Sequence, residues 1–181
     1  MSGDKVKEGD SIIISGTLGD HGMCIMNLRD KLGFNSNIKS DCGLLNNLIK
    51  DILDVSKKVK VLRDPTRGGL ATTLNEISKH SNISIEINED KLPIKEEVKS
   101  MCNLLGLDPL YIANEGKLVV IVDKNDTTAV LDVMQKNTMG KDAVIIGKAI
   151  NDGKSRLYLN TEIGGKRIIN MPEGELLVRI C

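Results

Sequence analysis

The sequence is poor in aromatic residues and has no excess of charge. It contains no tryptophan, one phenylalanine and two tyrosines in 181 residues. Its 25 basic and 25 acidic residues cancel, and no basic block stands out. A core must therefore be built from Ile, Leu, Val and Met. Nucleic acid and anionic membranes are poor candidate partners for such a chain.

The chain also lacks long apolar runs and paired cysteine motifs. No stretch is long enough to span a bilayer, so no membrane partner is predicted. The cysteines show no C-x-x-C spacing, and neither His21 nor His80 completes a zinc pattern, so no metal ligand is predicted. Unpaired cysteines favour a reducing compartment, and we expect a cytoplasmic protein. The cysteines are Cys24, Cys42, Cys102 and Cys181.

Length and apolar periodicity predict one α/β (α+β) domain, layered, with a mixed β-sheet covered by helices. We expect residues 1–10 to be a linker or added start, 11–170 the domain, and 171–181 a flexible tail. Strands are predicted at 11–15, 58–63, 83–87, 117–122, 144–150, 156–159 and 167–169. Helices are predicted at 23–32, 44–53, from about 68 to 77, 96–105 and 127–136.

Local capping chemistry predicts where several of these helices begin and end. Asp41 is expected to cap the helix over 44–53, and Thr66 the helix that starts near Gly68. Gly106 closes the helix over 96–105. Cys24 and Cys102 fall in apolar helical stretches, so we expect both thiols to be buried and unreactive.

Two glycine-rich segments each join a predicted strand to a predicted helix. Residues 16–22, Gly-Thr-Leu-Gly-Asp-His-Gly, could bring backbone N–H groups to an anion, or could simply allow a tight turn. His21 in this segment is more often a cap or surface residue than a base. In residues 64–69, Asp-Pro-Thr-Arg-Gly-Gly, Arg67 suits phosphate or carboxylate. The alternative is a well-capped helix start with a solvated Arg67.

Two further features carry candidate chemistry. Glu115, in Asn-Glu-Gly before a predicted strand, could act as a base, although Asn and Gly also favour turns. Cys181 is the last residue, and a tether of eleven extended residues reaches roughly 36–40 Å at about 3.3–3.6 Å each. Such a thiol could carry a covalent group between pockets, or could be an accident of position.

Several motifs occur together in a fixed order. They are Gly-Asp-His-Gly (19–22), Ser-Asp-Cys (40–42), Arg-Asp-Pro-Thr-Arg-Gly-Gly-Leu (63–70), Asn-Glu (75–76), Gly-Leu-Asp-Pro-Leu (106–110), Ala-Asn-Glu-Gly-Lys (113–117) and a terminal Arg-Ile-Cys. This series resembles the HypE family of hydrogenase expression/formation proteins, within the aminoimidazole ribonucleotide synthetase superfamily. The resemblance runs from about Gly9 to Cys181 and implies a fold like the C-terminal domain of PurM.

The resemblance implies a role in making cyanide ligands for the iron of nickel–iron hydrogenases. Cys181 would receive a carbamoyl group, which ATP would dehydrate to a thiocyanate. The base would be Glu115 first and His21 second. Asp64, Arg67, Gly68 and Gly69 would contribute to cofactor binding, with Arg67 and the glycine amides holding phosphate.

The same resemblance implies cofactors and partners. Family members have an N-terminal half that forms much of the ATP and magnesium site, so this chain matches the C-terminal domain. We expect no tight ATP or magnesium binding, and no catalysis, by this chain alone. Implied partners are a HypF-like carbamoyltransferase, HypC- and HypD-like iron scaffold proteins, and a second copy in a homodimer. The alternatives are a thiol carrier or docking module, or another ATP-dependent member of the superfamily.

Overall fold

A computed structural model describes residues 6–29, 32–34 and 36–172. Within this part of the chain, seven strands form one sheet and five α-helices cover it. The strands are β1 (Ser11–Ile14), β2 (Val59–Arg63), β3 (Ser84–Asn88), β4 (Val119–Val122), β5 (Val144–Ile150), β6 (Leu157–Asn160) and β7 (Lys166–Ile169). The helices are α1 (Asp20–Arg29), α2 (Asn46–Val55), α3 (Gly69–Ser81), α4 (Glu96–Leu105) and α5 (Thr127–Lys136).

The sheet has the order β2-β4-β1-β5-β3-β6-β7. Strands β3 and β6 pair in parallel and the other neighbours pair antiparallel, which confirms the predicted mixed sheet. Strand β4 lies between β1 and β2, with Ile14 and Arg63 both opposite Val119. The last residues of β1 and β2 therefore meet the first residues of β4 at one edge of the sheet.

Both faces of the central strands are covered, which explains their continuous apolar sequences. Ile12 and Ile14 of β1 belong to the core on the α3 face, together with Leu70 and Leu74 of that helix. Ile13 faces the opposite way. It shares a second core with α2 and α5, whose buried members include Leu48, Ile52, Val130 and Met134. Alternation along one strand thus serves two cores at once.

A third apolar cluster joins α1 to α4. Met23 and Met26 of α1 pack with Val98, Met101 and Cys102 of α4, and Ile112 completes the cluster. With so few aromatic residues, methionine fills space here that rings often occupy. The cluster fixes the position of α1, which carries His21 in its first turn.

Several predicted boundaries are confirmed, because local signals set them. Helices α4 and α5 and strand β5 have the predicted bounds. Gly106 ends α4 in the left-handed conformation with φ of 69°, as its position predicts.

Other local predictions are wrong. Helix α1 begins at Asp20, not at residue 23, because the Met23 N–H already donates to the Gly19 carbonyl as the first hydrogen bond of the helix. Helix α2 follows Leu45 and α3 follows Gly68, neither with a side-chain cap. Asp41 and Thr66 are therefore not helix caps.

Part of the predicted linker is described, whereas most of the predicted tail is not. Val6 lies in the core on the α3 face, and the Gly9 N–H donates to the Ala149 carbonyl, so residues 6–10 pack on the sheet. The tail beyond residue 172, with the predicted reactive Cys181, lies outside the described residues. Among the described helices, none is both long and apolar enough to cross a membrane.

Candidate functional site

The candidate site lies at the sheet edge where β1 and β2 end and β4 begins. Residues 16–22 follow β1, residues 64–69 follow β2, and residues 113–117 precede β4. Because β4 is antiparallel to both neighbours, these three motifs meet, although up to about a hundred residues separate them in sequence. The sheet topology therefore brings together three segments that the sequence marked separately.

Asn114 joins all three segments and is fully buried. Its Oδ1 accepts a hydrogen bond of 2.8 Å from the Gly19 N–H, in the segment after β1. Its Nδ2 donates to the carbonyls of Pro65 and Ile112, at 3.2 and 3.0 Å. Its own N–H also donates to the Pro65 carbonyl, at 3.2 Å. A buried amide satisfied in this way fixes the relative positions of the loops.

Glu115 follows directly and is half-buried. Its N–H donates to Asp41 Oδ1 at 3.0 Å. A Cβ placed on Gly116 would lie 1.7 Å from the Asp41 carbonyl oxygen, so this position has no room for a side chain. The backbone around residue 41 thus packs directly against the Asn-Glu-Gly turn and fixes the backbone position of Glu115.

Asp41 and Lys117 form an ion pair beside Glu115. Lys117 Nζ lies 3.4 Å from Asp41 Oδ2, and the side chains are 12% and 3% exposed. Asp41 Oδ2 accepts no hydrogen bond from the described residues, so this contact is a charge pairing rather than a well-aligned hydrogen bond. The aliphatic part of Lys117 lies over Gly16, where a Cβ would be 3.3 Å from Lys117 Cε.

His21 is buried, not on the surface as its position suggested. Its Nδ1 lies 2.8 Å from Ser40 Oγ, which also accepts the Cys42 N–H at 3.2 Å. Its Nε2 is buried and has no hydrogen-bond partner among the described residues. Ser40 and Asp41 are neighbours, so one short segment contacts both candidate bases, His21 and Glu115.

The start of α1 holds a second buried carboxylate. Asp20 Oδ2 accepts hydrogen bonds from Thr17 Oγ1 at 2.5 Å and from Lys95 Nζ at 2.9 Å. The Asp20 side chain is 4% exposed and the Lys95 side chain 48% exposed, so solvent screens the cation. A negative charge in the first turn also complements the helix dipole. These contacts fix the start of α1, which carries His21.

The Asp-Pro-Thr-Arg-Gly-Gly segment only partly fits the predicted anion site. Gly69 has φ of +59°, and a Cβ there would lie 2.6 Å from the carbonyls of Leu110 and Ile112. Its N–H donates to the Thr66 carbonyl, so phosphate would have to compete with this hydrogen bond, and binding by the Gly69 amide stays a prediction. Asp64 and Arg67 are exposed, and neither makes an ion pair with the described residues.

An open cavity of about 310 Å³ lies next to this cluster, between α1, α4 and the irregular segment over 36–40. Met23, Cys24, Ile38, Ser40 and Met101 are among the residues that line it. Cys24 is half-buried, so the prediction that its thiol is inaccessible is wrong, whereas Cys102 is buried as expected. Cys42 is exposed.

No group of three or more His, Cys, Asp or Glu side chains within the described ranges could hold a metal ion. Three contributors to the cluster were not assigned these roles from the sequence, namely Ser40, Asp41 and Lys117. The motifs at 40–42 and 113–117 contained them. Their partners, however, lie far away in sequence, and spacing alone does not identify such pairs.

The fold and the three converging loops define a domain of the aminoimidazole ribonucleotide synthetase type. The family model described as AIR synthase related protein, C-terminal domain, matches residues 7–160. The chain belongs to this family.

Among individual proteins, the chain is similar over its whole length to the carbamoyl dehydratase HypE of Cupriavidus necator, with 45% identity over 181 residues. It is 43% identical over 173 residues, or 96% of its length, to the carbamoyl dehydratase HypE of Escherichia coli. It covers 52% and 51% of these two proteins. The chain thus spans about half the length of the curated relatives it matches. The resemblance predicted from the motifs is confirmed.

Solved structures agree. The crystal structure of the hydrogenase maturation protein HypE in complex with ATP has a TM-score of 0.93 and 42% identity, covering 99% of this chain and 55% of that one. The HypE–HypF complex has a TM-score of 0.89 and 47% identity, covering 94% of this chain and 55% of that one. A thiamine monophosphate kinase, at 21% identity and a TM-score of 0.60, shares the fold.

Proposed function

We propose that this chain takes part in making the cyanide ligands of nickel–iron hydrogenases. In a longer protein, its Cys181 thiol carries a carbamoyl group, which ATP dehydrates to a thiocyanate. The observation that carries the proposal is the convergence of the family motifs on Asn114 and Glu115. It is supported by similarity along the whole chain to proteins named carbamoyl dehydratase HypE. We also propose that residues 171–181 form the tether.

In the proposed reaction, the carbamoyl group loses the elements of one water. Its oxygen leaves as part of inorganic phosphate. The carbamoyl oxygen attacks the γ-phosphorus of ATP, ADP leaves, and the nitrogen gives up one proton. The second N–H proton is then removed as the C–O bond to phosphate breaks, which leaves S–C≡N and inorganic phosphate. Phosphorylation makes a good leaving group, and a base is needed at the nitrogen.

Glu115 is the proposed base. Glu115 directly follows the fully buried Asn114, and the Glu115 N–H donates to Asp41. The turn that carries Glu115 is therefore held in place. His21 is the second candidate, because its buried Nε2 is unpartnered among the described residues while Ser40 holds Nδ1. A fixed turn suits a base that must meet the substrate in one geometry.

Arg67 is the proposed phosphate ligand from this chain. Its exposed guanidinium stands just before α3, whose N-terminus also favours an anion. Asp64, Gly68 and Gly69 remain proposed members of this site. The described residues hold no group of three or more His, Cys, Asp or Glu side chains that could bind a metal ion, so we derive no step through magnesium and propose that ATP and magnesium depend mainly on other parts of the longer protein.

The proposed partners follow the named relatives. A HypF-like carbamoyltransferase would load the thiol, and the HypE–HypF crystal structure supports that pairing for a close relative. HypC- and HypD-like scaffold proteins would receive the cyano group, and a homodimer would form through the longer protein. We propose that these steps occur in the cytoplasm.

A thiol carrier without catalysis is the second candidate for the chain taken alone. The engaged Gly69 amide and the lack of a metal-binding cluster in the described ranges favour it. On this view the domain presents Cys181 and docks partners, while the rest of the longer protein binds ATP. The two candidates differ in whether Glu115 takes part in the chemistry.

A chimera tests the proposal. The chain replaces the matched segment of Escherichia coli HypE, and mass spectrometry follows the Cys181 peptide with a carbamoyl donor protein and then ATP. We expect a carbamoyl mass on Cys181 and then loss of the mass of one water. Cys181→Ser should abolish the label, while Cys42→Ser, which removes an exposed thiol, should keep it. A label on Cys42, or no label on a folded chimera when parental HypE is labelled, would refute the proposal.

A further inference from the structure

The carboxylate of Asp41 contacts the segment that carries Glu115 at two points. One oxygen, Oδ1, accepts the Glu115 N–H at 3.0 Å. The other, Oδ2, lies 3.4 Å from Lys117 Nζ. The Asp41 side chain is 3% exposed, so its charge is removed from water. A buried carboxylate is costly unless it is paired, and both of its partners here belong to the turn that carries Glu115.

Backbone packing makes this arrangement unusually close. A Cβ on Gly116 would lie 1.7 Å from the Asp41 carbonyl oxygen and 3.0 Å from the Gly43 N atom. The segment around Asp41 therefore lies directly against the Asn-Glu-Gly turn. It has no regular secondary structure between residues 36 and 45, so contacts with other segments determine its position.

We propose that Asp41 is a positioning residue of this site: it fixes the backbone of Glu115 through one oxygen and neutralises Lys117 through the other. The inference rests on the proposed role of Glu115 as the base. The pair supplies a rigid, electrically balanced support. Without Asp41, the Glu115 N–H would lose its acceptor and the mostly buried Lys117 ammonium would lose its ion-pair partner.

The two contacts give different expectations for the two partners. Removing the Asp41 carboxylate should loosen the turn that carries Glu115, because the Glu115 N–H loses its acceptor. Removing only the Lys117 charge keeps that hydrogen bond and should disturb the turn less. The same segment also contacts His21, through Ser40.

The first experiment uses the 181-residue chain itself. Hydrogen exchange of the Glu115 amide is followed by NMR in the parent, Asp41→Ala, Asp41→Asn and Lys117→Met. Asp90→Ala is the matched control, since it breaks an Asp–Lys pair in which both side chains are more than half exposed. We expect exchange about tenfold faster in Asp41→Ala, the loss expected for one such hydrogen bond. Asp41→Asn, which keeps an acceptor oxygen, and Lys117→Met should change it less, and the control not at all. Parental exchange at Glu115 in a folded Asp41→Ala would overturn the proposal.

Folding is monitored in parallel, because a buried carboxylate can matter for stability alone. If Asp41→Ala unfolds, Asp41→Glu still tests the hydrogen bond, because its longer side chain moves the acceptor from the Glu115 N–H and exchange there should rise. In the chimera, Asp41→Ala should slow dehydration while carbamoyl loading stays unchanged, and Asp41→Asn should recover part of the rate. Faster exchange at Glu115 in the chain together with no dehydration by the parent chimera would refute the proposed function but not the support of the turn.

Discussion

Asn114 shows how one residue can determine the geometry of the whole site. Its side chain accepts one hydrogen bond through Oδ1 and donates two through Nδ2, and none of its surface is exposed. Only an amide offers an acceptor and donors in this arrangement. An acid of the same shape would place negative charge against two carbonyl oxygens.

We predict that Asn114→Asp destabilises the chain by about 2–4 kcal/mol, the range for a buried polar group that loses its partners. Urea denaturation near neutral pH measures this directly. Asn151→Asp makes the same chemical change at an exposed position and should alter the free energy of unfolding by less than about 0.5 kcal/mol. Similar effects of the two substitutions would contradict the role given to Asn114.

The cysteines are predicted to react at very different rates. Burial, with a smaller contribution from the Asp108 charge, raises the pKa of the Cys102 thiol to about 11. This is about two units above the ordinary value of 9.0, so its thiolate fraction should be about 100-fold lower than that of an exposed thiol.

Timed alkylation followed by peptide mapping tests this order. We expect Cys181 to be labelled first, the exposed Cys42 and half-buried Cys24 later, and Cys102 last. Concentrated urea should remove the difference, since it is a property of the folded state. Early labelling of Cys102 in the folded chain would contradict its burial.

Asp41 illustrates what residue patterns can and cannot predict. An aspartate shortly before an apolar helical stripe is typical of a cap, and that local reading failed because its partners are 74 and 76 residues away, at Glu115 and Lys117. An apolar helical stretch predicted burial correctly for Cys102 but not for Cys24, which is half-buried beside an open cavity. Local patterns therefore predict a helix better than they predict what packs against each of its residues.

At the scale of elements, hydrogen bonds to Asp152 connect the start of β3 to β6. Asp152 accepts hydrogen bonds from the Ser84 hydroxyl, from the Tyr158 hydroxyl at 2.7 Å and from the Lys154 N–H at 3.0 Å. The Ser84 and Tyr158 hydrogen bonds lower the pKa of the Asp152 carboxyl to about 2. The network supports the parallel pair of β3 and β6, which joins β6 and β7 to the other five strands.

The lowered pKa predicts the sign of an acid effect. The folded state favours the charged form of Asp152, so its contribution to stability is present above the unfolded value of 3.8. That contribution is lost as the pH falls through about 2. We predict that Asp152→Asn is less stable than the parent at neutral pH and that the difference narrows between these two values.

Melting temperatures across this acid range provide the measurement. Asp132→Asn, at an exposed position of α5, is the matched control and should follow the parent throughout. If the gap between the parent and Asp152→Asn stays constant with pH, the carboxylate is not the stabilising form.

Element boundaries were predictable where local chemistry sets them. Gly106 ends α4 because a left-handed residue terminates the helix, and apolar spacing alone gave the bounds of α5. Helix α1 begins earlier than predicted because Gly19, Gly22 and Asp20 pack against residues distant in sequence. The sequence pattern of these glycines predicts a loop. In the structure they lie at the start of α1, where they pack against Ile112.

At the scale of the molecule, topology determines which motifs meet. The position of β4 between β1 and β2 brings the three loops together, and no pattern within any single loop encodes that order. The sequence predicted one mixed sheet with helices over it, but long-range strand pairing needs the structure. The site was therefore predictable as a set of residues, not as an arrangement.

The chain alone is predicted to fold cooperatively and to bind ATP too weakly to be stabilised by it. Apolar cores cover both faces of the sheet, whereas the proposed phosphate ligand from this chain is the solvent-exposed Arg67. Melting curves with and without millimolar ATP should coincide. Ligand at a hundredfold excess over its Kd would add about 2.7 kcal/mol, so a rise of several degrees would show a real site in this chain.

The most direct test of the account is the fate of the carbamoyl group when Glu115 loses its charge. Glu115→Gln keeps the size of the side chain and leaves intact the hydrogen bond from the backbone N–H of residue 115 to Asp41. In the chimera with carbamoyl donor and ATP, we predict a normally carbamoylated Cys181 that fails to lose water, with a rate lower by about 10²–10⁴-fold. Thiocyanate formation at the parental rate would show that Glu115 is not the base, and His21 would be the next residue to replace.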